Sequence, residues 1–88
     1  MNKHISIKIS GRVQGVGFRF SAYEKFVELG LVGKAENTQD GGIAINTEGP
    51  EDRLASFVEW CHVGPAMAKV SNVEVTELAE PFVPLKNG

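Results

Sequence analysis

The chain begins with a short segment in which apolar and polar residues alternate strictly. Over His4–Ser10 an isoleucine stands at every second position, which is typical of a β-strand with one buried face. Over Phe18–Leu29 apolar residues instead recur three and four positions apart, which predicts an amphipathic helix that ends at Gly30. Ser21 and Glu24 also suit a capping box, so the pattern leaves open whether this helix begins three residues later.

A hairpin is the next element predicted along the chain. Leu31–Thr38 has a weak strand pattern, and Ile43–Glu48 alternates apolar and polar residues as a third strand. Between them, Gln39–Gly42 contains Asp-Gly and Gly-Gly, dipeptides that supply the positive φ angles of tight hairpin turns.

A second helix and a last strand complete the pattern. Gly49–Asp52 has a proline at the first turn and acids where the helix dipole favours them, which predicts a helix that ends at His62–Pro65. A strand follows at about Lys69–Glu77, and its valines change parity near Ser71, which predicts a bulge or a late start there. The segment Phe82–Val83 is compatible with a short edge strand.

The predicted order of elements is therefore βαββαβ, two βαβ crossovers joined by a hairpin. Such crossovers are right-handed and place both helices on one face of an antiparallel sheet, as in the ferredoxin-like sandwich. Because the sequence shows neither a linker nor an internal repeat, residues 1–88 are predicted to form one α+β domain.

Composition and charge narrow the classes of partner. Hydrophobic residues make up 42% of the chain and charged residues 23%, which suits one modest core. No run approaches the roughly 18–20 apolar residues of a membrane span, and the N-terminal segment is not a signal peptide, so we expect a cytoplasmic protein without a membrane partner. A net charge of −2 with scattered basic residues argues against nucleic-acid binding. The single cysteine, Cys61, is predicted to be a buried thiol.

The candidate chemistry lies in the glycine-rich segment Gly11–Arg19. Its glycines let successive backbone N–H groups turn toward one point, and the segment leads into a helix N-terminus, where partial positive charge accumulates. Arg19, in the first helical turn, adds a planar fork that matches phosphate oxygens. These residues alone leave two interpretations open, an anion-binding loop or a turn that merely requires glycine. Arg12 in the same loop is interpreted as a solvated charge.

Other functions that this fold supports lack their usual residues. A metal chaperone needs a Cys-x-x-Cys pair, and His4 and His62 lack the spacing of metal ligands. An RNA-recognition domain needs aromatic residues on its central strands, where this chain has isoleucine, valine and alanine. A small-molecule regulatory module stays open, because such sites have no strong signature in a single sequence.

The full string Gly11–Arg19 resembles the acylphosphatase signature G-x-V-Q-G-V-x-F-R at every defined position. The second motif of that family has a glycine, usually an aromatic residue, V-x-N and then x-x-D-G, and it is matched at Gly33, Asn37, Asp40 and Gly41. The later pattern of the family is matched by Glu48-Gly49-Pro50, Gly64-Pro65, Ala68, Val70, Val73 and Val75. The resemblance thus extends from the first predicted strand to the last.

This resemblance implies an enzyme that hydrolyses the carboxyl–phosphate anhydride bond of acyl phosphates. In that family the arginine and the loop amides hold the phosphoryl group, and the asparagine positions a water for in-line attack. Carried over, Arg19 binds the phosphate and Asn37 positions the water. The cradle is formed by the backbone amides of Gly15, Val16, Gly17, Phe18 and Arg19. Neither a metal nor an organic cofactor is implied, and we expect a monomer.

The second motif departs from the family at three positions. Lys34 replaces the usual aromatic residue, Ala35 the usual valine, and Glu36 a commonly basic residue. On a strand, Lys34 and Glu36 share the face opposite to Asn37, so we expect them to pair with one another. The lost apolar bulk is expected to lower stability or to loosen Asn37.

Several alternatives stay open at this point. Arg19 can instead form an ion pair with Glu28 or Asp40, and Asn37 can instead initiate the turn that follows it. The chain can also be a non-catalytic phosphate-binding or regulatory module of the same fold. A domain of a carbamoyl-transfer maturation machine is expected to fit least, because the sequence has no extension for further domains.

Overall fold

The computed structural model describes residues 1–82, in which four antiparallel strands form one sheet and two helices pack against it. The elements, in chain order, are β1 (Asn2–Arg12), α1 (Phe18–Leu29), β2 (Val32–Asn37), β3 (Ile43–Pro50), α2 (Glu51–Val63) and β4 (Lys69–Leu78). The strand order across the sheet is β2-β3-β1-β4. The predicted βαββαβ sandwich is confirmed. Neither helix in residues 1–82 is long and apolar enough to cross a membrane.

The sheet is built around β1, which pairs with β3 on one side and β4 on the other. Its isoleucines lie opposite apolar residues of β3, as in the pairs Ile7–Ile45 and Ile9–Ile43. Residues opposite one another in an antiparallel pair point to the same face, so one face of the sheet is largely apolar, with Thr47 buried among the isoleucines. Strands β1 and β3 are longer than predicted, because the ladder also includes Asn2, Lys3, Gly11 and Arg12 of β1 and Gly49 and Pro50 of β3.

The hydrophobic core lies between this apolar face and the two helices. Both helices contribute aromatic rings to it, and Phe26 of α1 stacks at 5.1 Å from Phe57 of α2. The buried apolar residues are Ile5, Ile7, Ile9, Val13, Phe18, Ala22, Phe26, Leu31, Ala35, Ile43, Ile45, Leu54, Phe57 and Cys61. The predicted burial of the Cys61 thiol is confirmed, and burial raises its pKa to about 12.

Both helix starts differ in detail from the sequence pattern. Helix α1 begins at Phe18, and its first helical turn is closed by the N–H of Ser21, which donates to the carbonyl of Gly17 at 3.0 Å. The alternative start at Ser21 is therefore wrong. Pro50 is the last residue of β3 and the N-cap of α2, so it precedes the first helical turn instead of lying in it. Gly30 ends α1 in the left-handed conformation, as predicted.

The change of parity in the last strand is a β-bulge. The register between β1 and β4 shifts between Ser10 and Gly11, whose partners are Asn72 and Val70, so Ser71 has no residue opposite it. Gly11 has φ 124° there, and a Cβ on it would collide with the Lys69 carbonyl. The predicted bulge is confirmed. Of the edge strand considered at Phe82–Val83, Phe82 is not in a strand and Val83 lies outside the described residues.

Candidate functional site

A small pocket lies where the loop after β1 approaches the end of β2. Its volume is about 170 Å³. It is lined by Val13, Gly15, Gly17, Phe18, Arg19, Phe20 and Asn37. The structure thus brings the predicted residues Arg19 and Asn37 to one pocket. Of the predicted cradle residues, only Val16 does not line the pocket; it packs against the core.

The loop keeps its shape through two glycines and two buried anchors. Gly15 and Gly17 have φ angles of 73° and 81°, which residues with a side chain rarely adopt. Val13 before them and Phe18 after them are buried to about 99%, since each exposes only 1% of its surface. The glycines therefore curl the backbone between two points fixed in the core.

The N-terminus of α1 is free to receive an anion. Its N-cap is Gly17, which has no side chain, and the first turn contains no acidic residue. The first helical N–H groups of any helix have no acceptor within the helix. Together with the dipole of the helix, these uncapped amides favour a negative charge in the pocket.

Asn37 reaches the pocket because of its register in the sheet. It is the last residue of β2 and lies opposite Ile43, which in turn lies opposite Ile9. Ile9 and Ile43 point toward the helices, so the side chain of Asn37 points to that same face. Within residues 1–82 this side chain has no hydrogen-bond partner, so it does not initiate the following turn.

Arg19 is exposed at the mouth of the pocket. The two acids considered as its ion-pair partners are engaged elsewhere. Glu28 contacts Lys25 at 3.3 Å, and Asp40 contacts Lys8 at 3.0 Å. Over the described part of the chain, no carboxylate lies within ion-pair distance of Arg19, so its guanidinium is available to a ligand.

Gln14 connects the loop to the turn between β2 and β3, a role that the sequence did not reveal. Its side-chain Nε2 donates one hydrogen bond to the carbonyl of Thr38 and another to the carbonyl of Gly42, both at 2.8 Å. The acceptors are main-chain atoms distant in sequence, so no pattern of side chains could have indicated them. In the sequence, the only indication of this role was the glutamine of the signature motif itself.

The turn itself is closed by a compact set of hydrogen bonds. The N–H of Thr38 donates to the carbonyl of Gly42 at 2.9 Å, and the N–H of Gly42 donates to Oγ1 of Thr38 at 3.0 Å. Oγ1 of Thr38 donates to Asp40, and Lys8 pairs with the same carboxylate. These bonds from Thr38, Lys8 and the Gly42 amide lower the pKa of Asp40 to about 2.

The altered part of the second motif is accommodated on β2. Lys34 and Glu36 form the expected pair, with Nζ 2.9 Å from Oε2, and the hydrogen bond to Glu36 raises the pKa of Lys34. Ala35 is buried on the opposite face, and its N–H donates to the hydroxyl of Tyr23 on α1 at 3.0 Å. The strand that carries Asn37 is therefore fixed to α1 by a hydrogen bond although apolar bulk is missing.

The pocket offers hydrogen-bond donors and the positive charge of Arg19. Among the residues that line it there is no carboxylate, imidazole or thiol. Residues 1–82 contain no group of three or more His, Cys, Asp or Glu side chains placed to hold a metal ion. A larger open groove of about 600 Å³ lies along α1 and reaches Trp60 of α2, and the acids Glu24 and Glu28 in its lining make it less suited to an anion.

Comparison with known proteins gives consistent matches. The family model described as Acylphosphatase matches residues 5–83. An acylphosphatase of Nocardioides is 40% identical over 77 residues, covering 88% of this chain and 78% of the relative. An acylphosphatase structure from Coxiella burnetii superposes with a TM-score of 0.87 at 36% identity, covering 92% of this chain and 86% of the other. Full-length HypF in its phosphate- and nucleotide-bound form matches at TM-score 0.82 and 28% identity, over 89% of this chain and 10% of HypF.

Proposed function

Since this chain belongs to the acylphosphatase family and is an acyl phosphate hydrolase, we propose that Arg19 and the loop amides hold the phosphoryl group while Asn37 orients the attacking water. The observation that carries this proposal is the shared pocket, in which one small volume is bounded both by Arg19 with the loop glycines and by Asn37. A phosphoryl group in that volume faces hydrogen-bond donors on one side and a carboxamide on the other.

Phosphate binding follows from the charge of the pocket. The guanidinium of Arg19 offers two parallel N–H donors to a pair of phosphate oxygens, and the amides at the start of α1 offer further donors. No acid in the first turn of α1 competes for them. Fixed donors of this kind stabilise the charge that develops on phosphoryl oxygens without reorganising during the reaction.

Beyond the placement of the phosphoryl group and the water, the reaction needs little catalytic assistance from the protein. The oxygen of the water forms a bond to phosphorus while the bond from phosphorus to the acyl oxygen breaks. The products are a carboxylate and inorganic phosphate. Because the transition state is loose, the water needs positioning more than activation, and the carboxamide of Asn37 supplies hydrogen bonds without placing a negative charge beside the substrate.

The composition of the pocket favours an acyl phosphate over a phosphate monoester as the substrate. A carboxylate leaves as a stable anion, whereas an alkoxide requires a proton from a general acid. None of the described residues that line the pocket is such an acid. We therefore expect hydrolysis of a typical alkyl monoester to be far slower than that of an acyl phosphate.

The decisive experiment is a kinetic comparison with benzoyl phosphate in the presence of EDTA. Arg19→Ala is expected to reduce kcat/KM by about 10³-fold, the cost of losing a charged group that stabilises the transition state. Asn37→Ala is expected to reduce kcat by about 10²-fold with a small change in KM, because it removes only the orientation of the water.

Matched controls separate the site from its surroundings. Arg12→Ala removes the same charge from the last residue of β1, just before the loop, and Asn46→Ala removes a carboxamide from the neighbouring strand, on the face away from the helices. Both should retain wild-type kinetics. Full activity in Arg19→Ala or Asn37→Ala would refute the assigned roles. An inert wild-type chain that still binds inorganic phosphate would instead support the non-catalytic module, and inhibition by EDTA would reveal a metal requirement.

We also propose that the enzyme acts as a cytoplasmic monomer without nucleic acid. Arg19, Asn37 and the loop glycines already bound one pocket within a single chain, so the proposed chemistry does not need a residue from a second copy. The net charge of −2 and the pI of about 5.6 are unfavourable for a polyanionic partner. The free buried thiol of Cys61 suits a reducing compartment. Light scattering coupled to size exclusion, and fractionation of cells, would test the oligomeric state and the location.

A further inference from the structure

We propose that Gln14 is a positioning residue that sets the distance between the phosphate cradle and Asn37; the inference rests on the proposed function of both. Gln14 directly precedes Gly15, the first glycine of the cradle, and Thr38 directly follows Asn37. The two hydrogen bonds from the Gln14 amide to the carbonyls of Thr38 and Gly42 therefore join the two halves of the site at adjacent residues.

The chemistry of the contact fixes the orientation of the glutamine. Both partners are carbonyl oxygens, so only the NH₂ end of the side chain satisfies them, and each of its two hydrogens is used. A single planar group that donates to two acceptors cannot rotate without losing one of them. The side chain is half-buried, which limits competition from water.

The turn at the other end of this link is rigid enough to serve as a reference. Thr38 and Gly42 are joined by two hydrogen bonds, and the N–H of Gly41 donates to the carbonyl of Thr38 at 3.2 Å. A Cβ on Gly42 would lie 2.5 Å from the carbonyl oxygen of Ile9, so the turn packs directly against the end of β1. Gln14 therefore ties the loop to a turn that is itself held in place directly after Asn37.

The other fixed points of the cradle hold it to the core and not to Asn37. Val13 and Phe18 anchor the two ends of the loop between the sheet and the helices. Within residues 1–82, the Gln14 amide makes the side-chain hydrogen bonds that span from the loop to the turn after β2. Removing it should leave a cradle that still binds phosphate but holds it at a variable distance from the water that Asn37 orients.

The test is the substitution Gln14→Met, which keeps the length of the side chain and removes both donors. With benzoyl phosphate, kcat should fall about 10- to 100-fold, because displacements of the order of 1 Å at a reacting centre have effects of this size. The inhibition constant of inorganic phosphate should change less than about threefold, since Arg19 and the amides that bind it are retained. A fall in phosphate affinity as large as the fall in kcat would overturn the proposal.

A double-mutant cycle distinguishes positioning from a general loss of structure. If Gln14 acts through Asn37, then Gln14→Met should change kcat by less than about twofold in an Asn37→Ala background. Equal effects in both backgrounds would overturn the inference while leaving the roles of Arg19 and Asn37 intact. Conversely, wild-type activity in Asn37→Ala would overturn the proposed function first.

Two further variants guard against a misfolded protein. Gln14→Asn keeps the amide but shortens it by one methylene, so it should lose the same contacts with a smaller change in the loop. Its kcat should also fall, and wild-type kcat in a folded Gln14→Asn protein would contradict the proposal.

Lys8→Met breaks the ion pair on the solvent side of the same turn and should leave kcat within about twofold. A loss of kcat in Lys8→Met equal to that in Gln14→Met would assign the effect to the turn as a whole.

Discussion

The two helices start in opposite ways, although each follows a strand of the same sheet. Helix α1 is entered through a loop with two left-handed glycines, and its first turn contains no acid. Neither helix has a side-chain cap, so the difference between them lies in the acids. Helix α2 begins directly after Pro50 with Glu51 and Asp52 in its first turn. Glu51 also pairs with Lys3 at 2.6 Å, and that contact lowers the pKa of Glu51.

The difference shows what a binding site costs locally. At α2, the acids of the chain itself occupy the positive end of the helix and stabilise it. At α1 the same electrostatic potential is left unsatisfied, although a glycine N-cap in place of a capping side chain costs a helix only roughly a few tenths of a kcal/mol. A substrate phosphate would supply the missing charge. On the proposed function, the start of α1 is left open for a ligand, whereas the acids at the start of α2 stabilise that helix.

The largest effect on activity is expected from adding a methyl group to the loop that precedes α1. Gly17→Ala introduces a side chain at φ 81°, where the strain is about 1–2 kcal/mol, although the space around it is empty. The backbone should shift to relieve that strain and displace the cradle amides. We expect kcat/KM for benzoyl phosphate to fall about 100-fold, measured alongside thermal unfolding.

Gly30→Ala is the matched control for this strain. Gly30 ends α1 with φ 69°, and a Cβ there would also meet nothing within 4 Å. Both variants should lose similar thermal stability, but Gly30→Ala should retain wild-type kcat/KM. Wild-type activity in Gly17→Ala, at the same loss of stability, would show that the glycine serves folding alone.

A smaller effect is expected from giving α1 the acid that α2 already has. Phe20 is the third residue of α1, is 70% exposed and lines the pocket, so Phe20→Glu places a carboxylate at a favourable helix position beside the proposed phosphate site. KM for benzoyl phosphate should rise roughly tenfold relative to Phe20→Gln, and the difference should shrink in high salt. The Tm of Phe20→Glu should exceed that of Phe20→Gln.

The control for this prediction is the converse change in α2. Glu51→Gln with Asp52→Asn should lower Tm by a few degrees, because the start of α2 loses its compensating charges. The kinetics should stay unchanged, since neither residue lines the pocket. Equal KM values in Phe20→Glu and Phe20→Gln would contradict the idea that α1 is kept free of acids for substrate.

The same two helix starts show what could be predicted from sequence. Periodicity gave the order of elements, and the change of valine parity in β4 gave the bulge, because both depend on which face a side chain occupies. The start of α1 was ambiguous for a physical reason. Its true N-cap, Gly17, provides no capping side chain, whereas Ser21 offers a capping signal within the helix. A site that leaves its helix uncapped also removes the residue that would mark where the helix begins.

The components of the candidate site were predictable to different degrees. Glycines, Arg19 and a helix N-terminus lie close together in sequence, so an anion-binding loop could be argued from them directly. The position of Asn37 near that loop depends on how β2 pairs with β3 and β3 with β1. Its role was inferred only from the resemblance to the acylphosphatase family. The contacts of Gln14 join residues 24 and 28 positions apart through carbonyls that every residue has. Only coordinates could reveal them.

The smallest expected effect concerns the turn that supports the α1 loop from outside. The pKa of Asp40 is about 2, below its ordinary value, chiefly because of the hydrogen bond from Thr38 and then of the bond from Lys8. Its ionised form therefore stabilises the folded state above about pH 4, and this contribution is lost as the pH falls through about 2. Asp40→Asn should lower the urea midpoint at pH 7, and the deficit relative to wild type should shrink toward pH 2.5. A deficit that is constant with pH would mean that the shape of the turn matters and the charge does not. In that case the turn would support the loop before α1 through the contacts from Gln14 alone, and the charge of Asp40 would contribute nothing.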